Sequence, residues 1–196
     1  MTAAGYSDTT ALVVVDVQND FADPAGSLYV AGGDQAIDYI NEQIAAAIES
    51  GAFVVYTQDW HPDVTPHFAK DGGIWPVHCV ADSWGAAPHP ELSVEGPIVR
   101  KGTGGEDGYS GFTVRDPETG AATSTELETM LREMGVEAVV VVGLATDYCV
   151  KETALDAARL GFSTMVLADG IRAVNLQAGD GARAIATLVE AGVDVL

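Results

Sequence analysis

Apolar positions along the chain follow two alternating rhythms. Nearly unbroken apolar runs bounded by turn residues fall at Ala11 to Val15, Phe53 to Thr57, Ile98 to Val99, Ala138 to Val142, Thr164 to Leu167 and Val193 to Leu196. These predict six strands. Between them, Asp34 to Ser50 spaces Ile37, Ile40, Ile44 and Ile48 along one helical face, and Thr125 to Met134, Cys149 to Leu160 and Gly181 to Ala191 carry similar periodicity. Gly51, Gly135, Gly161 and Gly192 each follow one of these segments, where a left-handed C-cap favours glycine. A run such as Val139 to Val142 has no polar side to turn toward water and must be covered on both faces. The pattern predicts an α/β fold: a three-layer α/β/α, Rossmann-like arrangement around a six-stranded parallel sheet.

The 196 residues suffice for one sizeable core and no linker-like stretch divides them, so residues 1–196 are expected to form a single domain without repeats. One connection breaks the rhythm. Trp60 to Pro97 holds six of the eight prolines and no helical pattern, and structureless loops beyond about 12 to 15 residues are usually functional or disordered. Its apolar content argues against disorder.

Composition narrows the function. Nine Lys and Arg against 29 Asp and Glu leave a net charge of -20, which repels a phosphate backbone or an anionic membrane. The acidic residues are spread along the chain, as on a solvated surface. Nucleic acid and membrane are therefore not expected partners, and assembly into a homo-oligomer is left open. The opening MTAAGYSDTT has neither the basic start nor the apolar stretch of a signal peptide, so the expected location is the cytoplasm. Two cysteines, Cys79 and Cys149, are too few for a disulfide scaffold and are expected as free thiols.

In a parallel α/β sheet, ligands bind at the carboxyl ends of the strands. Asp16, Asp59 and Lys101 end or follow the first three predicted strands and Cys149 follows the fourth, so four reactive side chains are expected on one rim. Each alone has a plainer reading, as a turn cap, a surface lysine or an inert core thiol. Thr146 or Asp147 is a candidate N-cap, which would place Cys149 in the first helical turn, where the dipole favours thiolate and free N–H groups can hold an oxyanion. Cys79 has no such helix behind it and is read as packing.

The only four histidines, His61, His67, His78 and His89, all lie in the long connection. Asp59 and His61 alternate, so an extended segment points both the same way, and His67 and His78 can fold back to complete a nitrogen and oxygen ligand set. Such ligands suit a divalent ion (zinc, iron or manganese) better than copper(I) or an iron–sulfur cluster. The spacing matches no common zinc finger, and purely structural histidines are the competing reading. His89, between two prolines, is read as structural. The glycine-rich Lys101 to Gly108 does not open into a helix as a dinucleotide motif must and is expected to be a flexible loop over the rim.

With these residues in place, the chain from about Ala11 onward resembles the nicotinamidase (pyrazinamidase) group of the isochorismatase-like cysteine hydrolase family. The resemblance rests on VVVDVQNDF, DWHPDVTPHF, WPVHCV, IVRKG, YSGF and GLATDYCV. DVQNDF and GLATDYCV are shared across the family, whereas the D-x-H, H-F and W-P-x-H-C set belongs to this group. The resemblance implies hydrolysis of nicotinamide to nicotinate and ammonia, and of pyrazinamide to pyrazinoate, through a thioester. It implies a catalytic triad of Asp16, Lys101 and Cys149 and one divalent metal ion on Asp59, His61, His67 and His78. It further implies a cis peptide between Leu144 and Ala145, an oxyanion hole from the N–H groups of Ala145 and Cys149, and substrate contacts from Phe21, Trp75 and Tyr109. A metal-independent relative acting on another small amide or a vinyl ether is the alternative.

Overall fold

A computed structural model describes residues 5–196; the first four residues of the N-terminal stretch considered above as a leader lie outside the described residues. Every predicted apolar run forms a strand. In chain order the strands are β1 Thr10–Val15, β2 Phe53–Asp59, β3 Ile98–Lys101, β4 Thr113–Arg115, β5 Ala122–Ser124, β6 Ala138–Leu144, β7 Ser163–Arg172 and β8 Asp194–Val195. The helices are α1 Asn19–Ala22, α2 Ile37–Glu49, α3 Leu127–Glu133, α4 Lys151–Arg159 and α5 Asp180–Glu190. Six strands pair in the order β3-β2-β1-β6-β7-β8, all parallel. β4 and β5 make a separate antiparallel ribbon that the apolar pattern does not signal.

The two-residue alternation of a strand sends Leu12 and Val14 to one face and Ala11, Val13 and Val15 to the other, so β1 is buried along its whole length. On the first face, Ile37, Ile40 and Ile44 of α2 pack over Leu12, Val14, Val140 and Val142. On the second, Leu127 and Leu131 of α3, Ala154 of α4 and Leu188 of α5 cover Val13, Val55, Val139 and Val141. These are the three layers expected. Ile48 departs from the expectation: it lies at the end of the α2 stripe and is 47% exposed. The four glycines that follow the helices all take positive φ, between 69° and 88°, as left-handed caps do.

Successive strands run outward from β1 in both directions, through β2 to β3 on one side and through β6 to β7 and β8 on the other. The carboxyl ends of β1 and β6 therefore flank a topological switch point, where a crevice opens beside the sheet. Gly143 keeps that junction tight: at φ 114° it lies where a Cβ would fall 2.1 Å from the Val15 carbonyl oxygen. Among the described residues no helix is long and apolar enough to cross a membrane.

Replacing Ile44 with Ala, which empties a site now 1% exposed, is expected to cost about 2–5 kcal/mol in urea unfolding. Ile48→Ala should stay within about 0.5 kcal/mol of the parent. Equal losses at the two positions would contradict the assignment of faces.

Candidate active site

Asp59 and Lys101 are the last residues of β2 and β3 and register partners of one another. Asp16 follows β1, and Cys149 lies just beyond the end of β6. These four side chains meet in one buried cluster. Lys101 Nζ lies 2.7 Å from Asp16 Oδ2, 2.5 Å from Asp59 Oδ1 and 3.7 Å from Cys149 Sγ, and it also donates to the Gly108 carbonyl. An ammonium has three protons; Asp59 Oδ1, the Gly108 carbonyl and Cys149 Sγ accept them, while Asp16 Oδ2 is paired to the lysine by charge and has no hydrogen-bond partner among the described residues. Cys149 Sγ and one carboxylate oxygen from each of Asp16 and Asp59 lie within 4.8 Å of one another.

Two further side chains hold the carboxylates in place. Thr57 Oγ1 donates to Asp16 Oδ1 at 2.6 Å, while Asp16 itself turns out of the strand at φ 49°, a backbone region that non-glycine residues adopt at a cost and often at functional sites. The Gln18 side chain accepts from the Asp59 N–H and donates to the Asp59 carbonyl, both at 2.8 Å, tying the ends of β1 and β2 together.

Electrostatics divide the roles. Burial alone would lower the Lys101 ammonium, but Asp16 and Asp59 outweigh it and hold Lys101 well above its usual range, firmly charged. Burial also raises Asp59, yet Lys101 and then His61 overturn that and keep its carboxyl below the ordinary range. Asp16 moves the other way: burial raises it, and Lys101 only partly pulls it back. Burial likewise pushes the Cys149 thiol well above its usual range, against the pull of Lys101. The resting sulfur is therefore a protonated thiol beside a carboxylate of raised basicity. This corrects the expectation of a dipole-stabilised thiolate.

The helix entry is also different from the expectation. Neither Thr146 nor Asp147 caps it; Ala145 occupies that position in extended conformation, and Thr146–Val150 form a single π-helical turn ahead of α4. The buried Asp147 carboxylate instead accepts the N–H groups of Val174 and Asn175 at 2.9 and 2.8 Å, two donors that a cap position would not reach together. The Leu144–Ala145 peptide is cis, as the resemblance implies.

His61, His67 and His78 converge, offering ring nitrogens within 4.8 Å of one another. His61 and His67 stack with centroids 4.7 Å apart, and His78 meets them at 5.2 and 5.4 Å. Burial lowers His67 and brings His78 down to about 4, so both rings are neutral near pH 7 and keep a lone pair for a metal. His61 is fully buried, and neither of its ring nitrogens has a hydrogen-bond partner among the described residues. Two orphaned nitrogens in such a place would cost several kcal/mol without a ligand, so the donor set fits a divalent cation. Asp59 joins the clusters, its Oδ2 lying 3.8 Å from His61 Nε2 while Oδ1 faces Lys101. His89 lies outside the cluster, buried against Asp23 and Glu91, and Cys79 is fully buried with its sulfur 3.8 Å from the Gly85 carbonyl. Both conform to their structural readings.

Between the thiol and the histidines lies a small, largely apolar pocket. Phe21, Trp75 and Tyr109 line it, as do Ala145 and Cys149. Trp75 Nε1 donates to the Tyr109 hydroxyl at 2.8 Å. Tyr148, Leu28, Val30 and Val174 complete the apolar walls and have no signal in the sequence beyond hydrophobicity, except Tyr148 through its place next to Cys149. The loop from Lys101 to Gly108 is not the flexible cover expected. Its Gly105 carbonyl accepts from Thr65 Oγ1, Asp107 exchanges two backbone hydrogen bonds with Arg115, and Gly102 leaves room for the His61 ring, which a Cβ would meet at 2.7 Å. The glycines serve close approach, not mobility.

An isochorismatase domain matches residues 10–196. The chain is 38% identical to the nicotinamidase of Escherichia coli (strain K12), covering 93% of this chain and 92% of that one. It superimposes on the crystal structure of the pyrazinamidase of Pyrococcus horikoshii in complex with zinc with a TM-score of 0.85 at 38% identity, over 96% of this chain and 98% of the other. The crystal structure of PnC1 from L. infantum in complex with nicotinate gives 0.87 at 38% identity, over 97% and 94%. With the buried Asp–Lys–Cys cluster and the convergent histidines on the same sheet edge, the chain belongs to the isochorismatase family and, within it, to the nicotinamidase and pyrazinamidase group.

Proposed function

We propose that the protein, acting as a single domain, hydrolyses nicotinamide to nicotinate and ammonia, and pyrazinamide to pyrazinoate, through a thioester on Cys149. The observation that carries the reading is a thiol, a basic carboxylate and a buried ammonium on one side of a small apolar pocket with a convergent histidine cluster on the other. The convergence of His61, His67 and His78 speaks against a metal-independent relative, in which those side chains would have no reason to gather.

Asp16 accepts the proton of Cys149 as the sulfur attacks the carboxamide carbon, and Lys101 stabilises the charged pair. The carbonyl π electrons move to oxygen, and the N–H groups of Ala145 and Cys149 receive the oxyanion; losing one such donor typically costs about 3–4 kcal/mol. The tetrahedral species collapses by breaking the C–N bond, with Asp16 returning its proton to the departing ammonia. Water then adds to the thioester with Asp16 again as base; the C–S bond breaks, nicotinate is freed, and Asp16 returns its proton to the sulfur to restore the thiol. Phe21, Trp75 and Tyr109 confine the flat ring and exclude water. Asp59, His61, His67 and His78 would hold a divalent ion (zinc, iron or manganese), which would supply a Lewis-acidic charge on the ring-binding side of the pocket. The net charge of -20 disfavours nucleic acid or membrane partners.

Purified protein incubated with nicotinamide should release equal amounts of ammonia and nicotinate. Cys149→Ala is expected to abolish that release while keeping metal near one equivalent; turnover at the parent rate would remove the thioester route. Lys101→Met leaves two buried carboxylates without their counter-charge and should lower stability by about 3–5 kcal/mol in urea unfolding at pH 7. A loss below about 1 kcal/mol would show that the lysine is not what holds them.

A further inference from the structure

Asp107 takes no part in the chemistry above, yet it makes the shortest hydrogen bond to any histidine of the cluster. Its Oδ1 lies 2.6 Å from His67 Nδ1. The three rings are held differently. His78 Nδ1 meets the Pro76 carbonyl at 2.8 Å, a backbone group two residues away, and His61 has no ring hydrogen bond among the described residues. His67 is therefore the member whose ring is held by a side chain from a distant segment, 40 residues along the chain.

A carboxylate only accepts hydrogen bonds, so the hydrogen in this contact sits on His67 Nδ1. A neutral imidazole has no second N–H, which leaves Nε2 with its lone pair. Histidine ligands are commonly fixed in this way, with the outer nitrogen tied to a carboxylate and the inner one on the metal. The carboxylate is itself well anchored. Asp107 exchanges backbone hydrogen bonds with Arg115 at 2.8 Å in both directions, and the next residue, Gly108, gives its carbonyl to Lys101. Two consecutive residues of one pinned loop thus touch the histidine cluster and the ammonium.

We propose that Asp107 is a positioning residue for the metal centre, holding His67 as the Nδ1–H tautomer so that Nε2 is the ligating nitrogen. The inference rests on the reading of the three histidines as a metal site. It assigns to the lysine loop a second task beyond the Gly108 contact: its register sets both clusters at once.

Zinc affinity of metal-free protein, measured by competition with a chromophoric chelator, tests it. Asp107→Ala is expected to weaken zinc binding about 10–100-fold with an unchanged urea midpoint of the metal-free protein. Asp107→Asn keeps an accepting oxygen and should stay nearer the parent than the alanine variant. Asp107→Ala within about twofold of the parent, or Asn no better than Ala, would overturn the proposal. If the alanine variant does not fold, ¹⁵N-histidine NMR of the metal-free parent decides the question. An Nδ1-protonated His67 supports the assignment and an Nε2-protonated one ends it. A parent that binds no zinc removes the metal centre itself, whereas a parent that binds zinc with Asp107→Ala unaffected removes only the role of Asp107.

Discussion

Burying an ammonium is the constraint to which the rest of the site answers. Lys101 is 1% exposed, and an uncompensated charge in that position would cost several kcal/mol. The structure compensates it with two carboxylates from two neighbouring strand ends and a carbonyl from the following loop. Those partners are available only because β1, β2 and β3 are adjacent and parallel, so that their carboxyl ends share one edge. The register of the sheet and the charge of the lysine are thus one requirement seen twice.

The same ammonium sets the chemistry of its neighbours unequally. Asp59, closest to it and also facing His61, is held ionised, whereas burial leaves Asp16 raised despite the lysine. One carboxylate becomes a fixed anion shared between lysine and histidines, and the other becomes a base next to a thiol. Environments that push two carboxyls apart are how acid–base roles are assigned within one site. Asp59 is the hinge between the two halves, since one oxygen faces Lys101 and the other faces the histidine cluster.

Much of this is legible in the sequence because strand ends are legible. Asp16 follows its apolar run directly, Asp59 and Lys101 come two residues after theirs and Cys149 seven residues after its own, so the parallel-sheet rule gathers them without any knowledge of contacts. The histidines are legible as a cluster because all fall in a single proline-rich connection. The features that escape depend on contacts between distant segments. Asp147 reads as a cap until Val174 and Asn175 arrive to take its carboxylate. The glycine-rich loop reads as flexible until Thr65, Arg115 and His67 pin it. The β4–β5 ribbon is short and its β5 strand wholly exposed, which removes the burial pattern that betrays a strand. The thiolate expectation fails for a related reason: local helix geometry favours the anion, but burial, which only the tertiary fold imposes, favours the thiol.

In this mechanism Cys149, and no other group, carries the acyl fragment. Acid-quenching the enzyme during turnover of nicotinamide and mapping its peptides by mass spectrometry tests this most directly. A nicotinoyl group on the Cys149 peptide, absent when nicotinamide is omitted, is the predicted result. Continued release of nicotinate with every quenched cysteine unmodified, or with the acyl group on Cys79, would contradict it.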